Sequence, residues 1–546
     1  MNVHLTYLFL FLALISAPLS GGTQDSSDDL KIDPRLIAEA VEVWSIIASG
    51  DNDVWPGWDA SGTPILFYLP GQQDVLINHP APPDGFAPYT GPVSFPAGKI
   101  FVKDGPTIIG FDGQNTSRKI GGVDTLVVAD TLSNMRMRLL ALADDPRPTR
   151  EKMPAGDYSV YGEDIYGQMV MIAHEAFHVH QGKMAPGKGG NELALRNYPV
   201  LSVDNNVGFA LEGAALAEAM RGWTREECRE AALRWLAIRL HRRGKLSEEA
   251  VAYEDGTEFN EGLAKYVEYR ISEEFEGREP GEAMKWLQGF HGFEDLSAFR
   301  DNLVEQMTQH MNGEVNVNND PYGTAPLRMR LYFSGMAIAV ILDELAPDWR
   351  DKIFAPGTTL TGLASAAIAA EPGELDKALA MVKRDPAHDI LVGVKRRLEA
   401  AGRDEIGKQL DSILHGPKTL LTLEYSALGT KEPTIAFTPF GISGVDENRT
   451  IYKMTPVSAR LGMGYVFVQK EALAVLHDSE KRLFQFQLTE KMSRADLARA
   501  LGLDEVPVTV LKNISVDLPG VHVQAAKALF RWEGDALIIA MQPFRR

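Results

Sequence analysis

Five consecutive residues carry the strongest chemical pattern in this chain: His174-Glu175-Ala176-Phe177-His178, within the run MVMIAHEAFHVHQG. Positions four apart lie on one face of an α-helix about one turn apart, so both imidazoles can point at a single metal ion. Glu175 follows the first histidine directly and falls beside that ion, where a carboxylate can take a proton from a metal-bound water. The flanking residues read as helix. Asp164 can cap the start, Ile165, Met169, Ile172, Ala173, Ala176 and Phe177 form an apolar stripe, and Gly182 with Pro186 ends it. Polar groups on so apolar a helix are costly to bury without a use for them. His180, two residues beyond His178, falls on another face and is read as structural.

A catalytic zinc site needs a third protein ligand and an open position for water. No further histidine follows at the spacing HExxHxxGxxH, so a glutamate from a later helix is expected. Two are available: Glu261 in FNEGLAKYVEY and Glu212 in LEGAALAEAM. The segment from Arg328 to Gly335 can bring an electrophile, with Arg330 and Tyr332 as candidates to hold the oxyanion of a tetrahedral intermediate.

HExxH followed downstream by Asn260-Glu261-Gly262-x-Ala264-x-Tyr266 resembles the gluzincin metallopeptidases, in particular the aminopeptidase N-like branch. The resemblance spans about residues 160–275. It implies a zinc ion (Zn2+) held by His174, His178 and Glu261, with Glu175 as general base and a tyrosine holding the oxyanion. Two features depart from that family. His178 and Glu261 are 83 residues apart, which requires inserted helices, and the glycine-rich methionine-glutamate-asparagine signature that anchors a free substrate amine is missing. The resemblance therefore reaches the zinc site and not the substrate. Glu212, 34 residues after His178, is the alternative ligand; otherwise it is core-facing and hydrogen-bonded.

The elements that must position these groups follow from the rest of the chain. Its 546 residues, 45% hydrophobic and 24% charged, suffice for two or three globular domains. A net charge of −19 argues against nucleic acid or an anionic membrane surface as partner. Cys228 is the sole cysteine, which excludes an internal disulfide and a cysteine metal site. Residues 1–22 read as a signal peptide. Leu5 to Ile15 is nearly all apolar yet too short for a membrane span, and Ala17, Ser20, Gly21 and Gly22 supply small residues for cleavage. A secreted or periplasmic protein, with no membrane span after cleavage, is expected. The sequons at Asn115, Asn448 and Asn513 are as frequent as chance allows, and nothing specifies an oligomeric state.

Asp33 and Pro34 open a helix that Gly50 closes. Strands are expected at Pro64–Tyr68, Asp74–Asn78, Lys99–Val102, Thr107–Phe111 and Thr125–Val128. Trp55-Pro56-Gly57-Trp58 and His79-Pro80-Ala81-Pro82-Pro83 read as rigid turns packing over that sheet. Helices are expected at Thr131–Ala143, Asn205–Met220, Thr224–Arg243, Asn260–Phe275 and Leu327–Glu344. The third opens with a capping box, Thr224 to Glu227, and its LHRRG end reads as a solvated basic face. Beyond Pro417 strand patterns return, with one helix at Ser493–Leu501 and a hairpin of Ala528–Trp532 with Ala536–Met541.

The expected fold is α+β: a helix plus sheet (31–130), a helical zincin-like body (131–415) and a separate β-rich C-terminal domain (417–546). The expected function is zinc-dependent hydrolysis of a peptide bond in a peptide or protein substrate. The alternatives are a non-catalytic envelope protein that keeps the zinc helices as scaffold, and a zinc hydrolase of a non-peptide amide.

Overall fold

The computed structural model of the chain describes residues 30–96, 98–108, 115–130, 165–222, 224–287, 289–317, 321–506 and 509–543. The signal segment, the expected helix Thr131–Ala143 and the expected cap Asp164 lie outside them. The architecture is α+β, with an N-terminal sheet, a helical middle and a β-rich C-terminal region. It forms two compact units. One runs to Gly187 and adds Ala264–Asp301; the other is Lys188–Leu263 with the chain from Asn302 onward.

In the first unit, helix α1 (Pro34–Ile47) starts where Asp33 accepts a hydrogen bond from the Arg35 N–H and proline sits in the first turn, with its backbone angle already set for helix. The sheet is built from β1 (Ile65–Leu69), β2 (Gln73–Ile77), β3 (Ala87–Pro88), β4 (Ile100–Asp104), β5 (Thr116–Ile120) and β6 (Val123–Ala129), in the order β3-β4-β2-β1-β6-β5. Only the β1–β6 pairing is parallel, with Ile65 opposite Leu126. Strands β1 and β2 are buried at every position; β1 (ILFYL) reads as a continuous apolar run, while β2 buries Gln73 and Asp74 ahead of Val75, Leu76 and Ile77. Strand β5, TSRKI, has no apolar alternation and was not expected. Thr107 and Ile108 lie outside any strand, and the rest of that expected strand lies outside the described residues.

Helix α2 (Ile165–Met184) packs against α1, β5 and β6, and every residue of its expected apolar stripe is buried. Trp55 and Trp58 are both buried against Phe177 of α2, with ring centroids 4.7 and 5.2 Å away. His79 reaches the sheet, its Nε2 lying 2.9 Å from the carbonyl of Ile120.

The second unit contains α3 (Val203–Met220), α4 (Arg225–Arg243) and α5 (Glu248–Thr257). The α4 capping box forms as expected, with Thr224 and Glu227 each bonding the other's backbone N–H. Helix α5 runs without a break into a π-helical turn, Glu258–Gly262, and then into α6 (Leu263–Phe275). The division between the units falls inside this run. Helix α7 (Thr324–Leu345) is long and apolar enough to cross a membrane, yet 83% of its most apolar window is buried, so it serves as a core helix. Helix α8 (Pro386–His415) packs Ile406 and Ile413 against Ile451 and Leu476 of the C-terminal sheet.

That sheet has eleven strands among the described residues, between Leu420 and Met541. The hairpin is present. Glu533 pairs with Ala536, leaving Gly534-Asp535 as a two-residue turn, with Gly534 at φ +61° where L-residues are strained. Strands Ile442–Gly444, Arg449–Tyr452, Ser458–Gly462 and Val475–Asp478 were not expected; each is three to five residues long, too short for a period-two pattern to stand out.

Candidate metal centre

His174 and His178 sit one turn apart on α2, with their rings edge to face at 4.8 Å. Each uses its Nδ1 on a protein acceptor. His174 Nδ1 lies 2.7 Å from Glu268 Oε1 on α6, and His178 Nδ1 lies 2.8 Å from Gln181 Oε1. Burial pushes the Glu268 carboxyl up, but the charges of Lys265 and His174 outweigh it and hold the group below its ordinary value. Lys265 Nζ is 2.6 Å from its other oxygen. An anionic acceptor at Nδ1 places the His174 proton there and leaves the Nε2 lone pair for a metal; the Gln181 carbonyl does the same for His178. Glu175 is half-buried on the same helix.

Glu261 stands in the π turn. Its Oε1 accepts from Asn260 Nδ2 at 3.2 Å and from Arg328 Nη2 at 3.3 Å, and Tyr332 also hydrogen-bonds to it. Two glycines bring these partners close. A Cβ on Gly262 would lie 2.6 Å from the Gly335 Cα, and one on Gly335 would lie 2.7 Å from the Glu258 carbonyl. The π turn and α7 therefore cross backbone to backbone. Arg328 and Tyr332, four apart on α7, share one face beside Glu261. Burial raises the Tyr332 phenol far above its ordinary value, and the Glu261 charge raises it further, so it remains a proton donor. Arg328 also binds Glu192, and donates to the Tyr253 hydroxyl at 3.1 Å.

The π turn sorts two carboxylates. In a regular α-helix, residues three apart are only ~60° apart around the axis. A π turn takes more residues per turn, which widens that angle. Glu258 thus faces Arg239, and Glu261 faces away from it.

One ligand atom from each of His174, His178 and Glu261 lies within 4.8 Å of the others. Two imidazole nitrogens plus one carboxylate oxygen are a donor set that could hold a metal ion.

The remaining expected residues separate clearly. Glu212 does not join the histidines. It is fully buried, with Oε2 2.9 Å from Arg239 Nε and Oε1 2.5 Å from Arg242 Nε. Burial alone would raise its carboxyl, but the charges of Arg242 and Arg239 lower it. Arg330 does not join either. Two residues from Arg328 is ~200° around the helix, and Arg330 donates instead to Asn206 Oδ1 at 2.7 Å and to the His310 carbonyl at 3.2 Å. Tyr332 is at Glu261. His180 lies against Phe177 and Trp58; burial, with help from Lys183, depresses its imidazole to about 4.

The basic end of α4 is not a solvated face. Arg242 and Arg243 are 2% and 8% exposed and bind Glu254, while Arg239 and Arg243 bind Glu258. Sequence reasoning missed Arg328 and Glu268. Arg328 stands four residues before Tyr332, and Glu268 stands seven after Glu261, close to two helical turns, so same-face spacing was a signal for both. Comparison with protein-family models, with curated proteins and with solved structures finds no match to this chain.

Proposed function

We propose that this protein is an exported zinc-dependent peptidase of gluzincin type, with His174, His178 and Glu261 as metal ligands. The observation that supports this reading most is the convergence of those three side chains, with both histidine Nδ1 atoms engaged elsewhere. Zinc, when bound, supplies a Lewis acid that polarises a substrate carbonyl and brings the pKa of a bound water near 7.

Glu175 is the general base. Its carboxylate takes a proton from the attacking water and returns it to the leaving amine. Tyr332, held protonated by burial, is the donor for the developing oxyanion. Glu268 fixes the tautomer and orientation of His174, and Arg328 with Asn260 fixes the Glu261 carboxylate.

The test is metal analysis of the purified mature protein, followed by turnover on a peptide library with and without chelator. One zinc per chain is expected, with hydrolysis lost on chelation and restored by zinc. No zinc after gentle purification, and none after reconstitution, sinks the reading. Zinc with no turnover on any peptide leaves a scaffold protein or a hydrolase of other amides.

A further inference from the structure

Five arginines of the second unit are buried: Arg239, Arg242, Arg243, Arg328 and Arg330. The first four each face at least one carboxylate. Arg330, 4% exposed, has only neutral acceptors among the described residues, Asn206 Oδ1 and the His310 carbonyl, with the Phe209 ring 5.2 Å away. Tyr198 favours its charged form, and the cations Arg242 of α4 and Lys395 of α8 oppose it.

Lys395 is 3% exposed and also donates only to neutral groups, the carbonyl and Oδ1 of Asn312. Glu314, whose field reaches Lys395, is exposed and hydrogen-bonded to Asn312. Burial depresses Arg330 to about 10 and Lys395 to about 8. A cation held out of water with no carboxylate bonded to it is costly, and among the described residues neither Arg330 nor Lys395 has one.

Arg330 lines a small cavity whose other walls include Asn206, Gly313 and the first turn of α7 at Gly323, Pro326 and Leu327. No side chain caps that 22-residue helix. The positive end of its dipole adds to the guanidinium charge. Gly313 keeps the guanidinium accessible, because a Cβ there would lie 2.7 Å from Arg330 Nη2. Size selects the occupant. The cavity offers about 20 Å³ on the measure by which one water needs ~10–15 Å³, so it admits one sphere and not a four-oxygen anion.

We propose that this cavity is a binding site for one halide-sized anion, chloride in practice, held by the Arg330 guanidinium at the positive end of α7. The inference does not depend on the peptidase reading.

The test is thermal unfolding of the full mature chain in sodium gluconate, with chloride substituted at constant ionic strength. A saturable rise of roughly 2–5 °C is expected in the wild type. Bromide should reproduce it, and Arg330→Gln should abolish it. No saturable rise, or an equal rise in Arg330→Gln, overturns the site. Should that variant fail to fold, wild-type crystals soaked in bromide decide: an anomalous peak in the cavity supports the proposal, and bromide only on the surface overturns it.

Discussion

Glu258 and Glu261 stand three residues apart on one helical run and live in opposite surroundings. Glu258 is fully buried, with Arg239 and Arg243 on its oxygens and the Ser334 hydroxyl donating to it. It belongs to a closed network that also takes in Glu212, Glu254 and Arg242. Glu261 is half-buried and lies near two imidazoles whose Nδ1 protons are committed elsewhere. In the first region every carboxylate is matched by guanidinium groups. In the second, two imidazole nitrogens converge with the oxygen of a carboxylate that Arg328 and Asn260 hold. Burial of acidic groups is thus a poor guide to a metal site; the identity of their partners decides.

The comparison can be broken most sharply through turnover. Glu175→Gln should lower peptide hydrolysis about 10²–10⁴-fold, because glutamine keeps the shape and cannot act as a base. Zinc content and thermal midpoint should stay at wild-type values. Unchanged hydrolysis would remove Glu175 from the mechanism.

Glu212→Ala probes the closed network. It leaves Arg239 and Arg242 short of a buried partner, and denaturant unfolding should show a loss of about 3–5 kcal/mol. Zinc affinity of the folded fraction should not change. A fall in zinc affinity without a fall in stability would mean that the two regions are one site.

The finest distinction lies between the Glu261 carboxylate, the proposed ligand, and the one behind His174. In competition titrations with a zinc chelator, Glu261→Ala should weaken binding by more than about 100-fold, and Glu268→Ala by about 10–100-fold. Wild-type affinity in Glu261→Ala, with a loss in Glu212→Ala, would reverse the assignment.

What could be read from the sequence was local. The α2 stripe from Ile165 to Phe177, the Thr224–Glu227 capping box and the hairpin before Met541 depend on residues a few positions apart, and periodicity and capping report them directly. Glu261 was separable from Glu212 by its neighbours Asn260 and Gly262, not by spacing. What was not legible depended on distant partners. LHRRG looks like any solvated helix end until helix α5 brings Glu254 to it. Arg330 was preferred to Arg328 because the crossing that decides which face of α7 meets Glu261 is set by Gly335 against Gly262. The π turn itself has no signature in EFNEG.

That turn behaves as a vernier in the chain. A π turn arises where one residue more than an α-helix needs has been accommodated without breaking the helix. About five residues at π spacing turn through the angle that about four turn at α spacing, so deleting a single residue between Glu258 and Gly262 would restore regular helix and leave the faces on either side nearly in place. The change would fall inside the turn, on the spacing between Glu258 and Glu261, which meet different partners. One surplus residue thus lets two neighbouring carboxylates on a single helical run serve two incompatible chemistries.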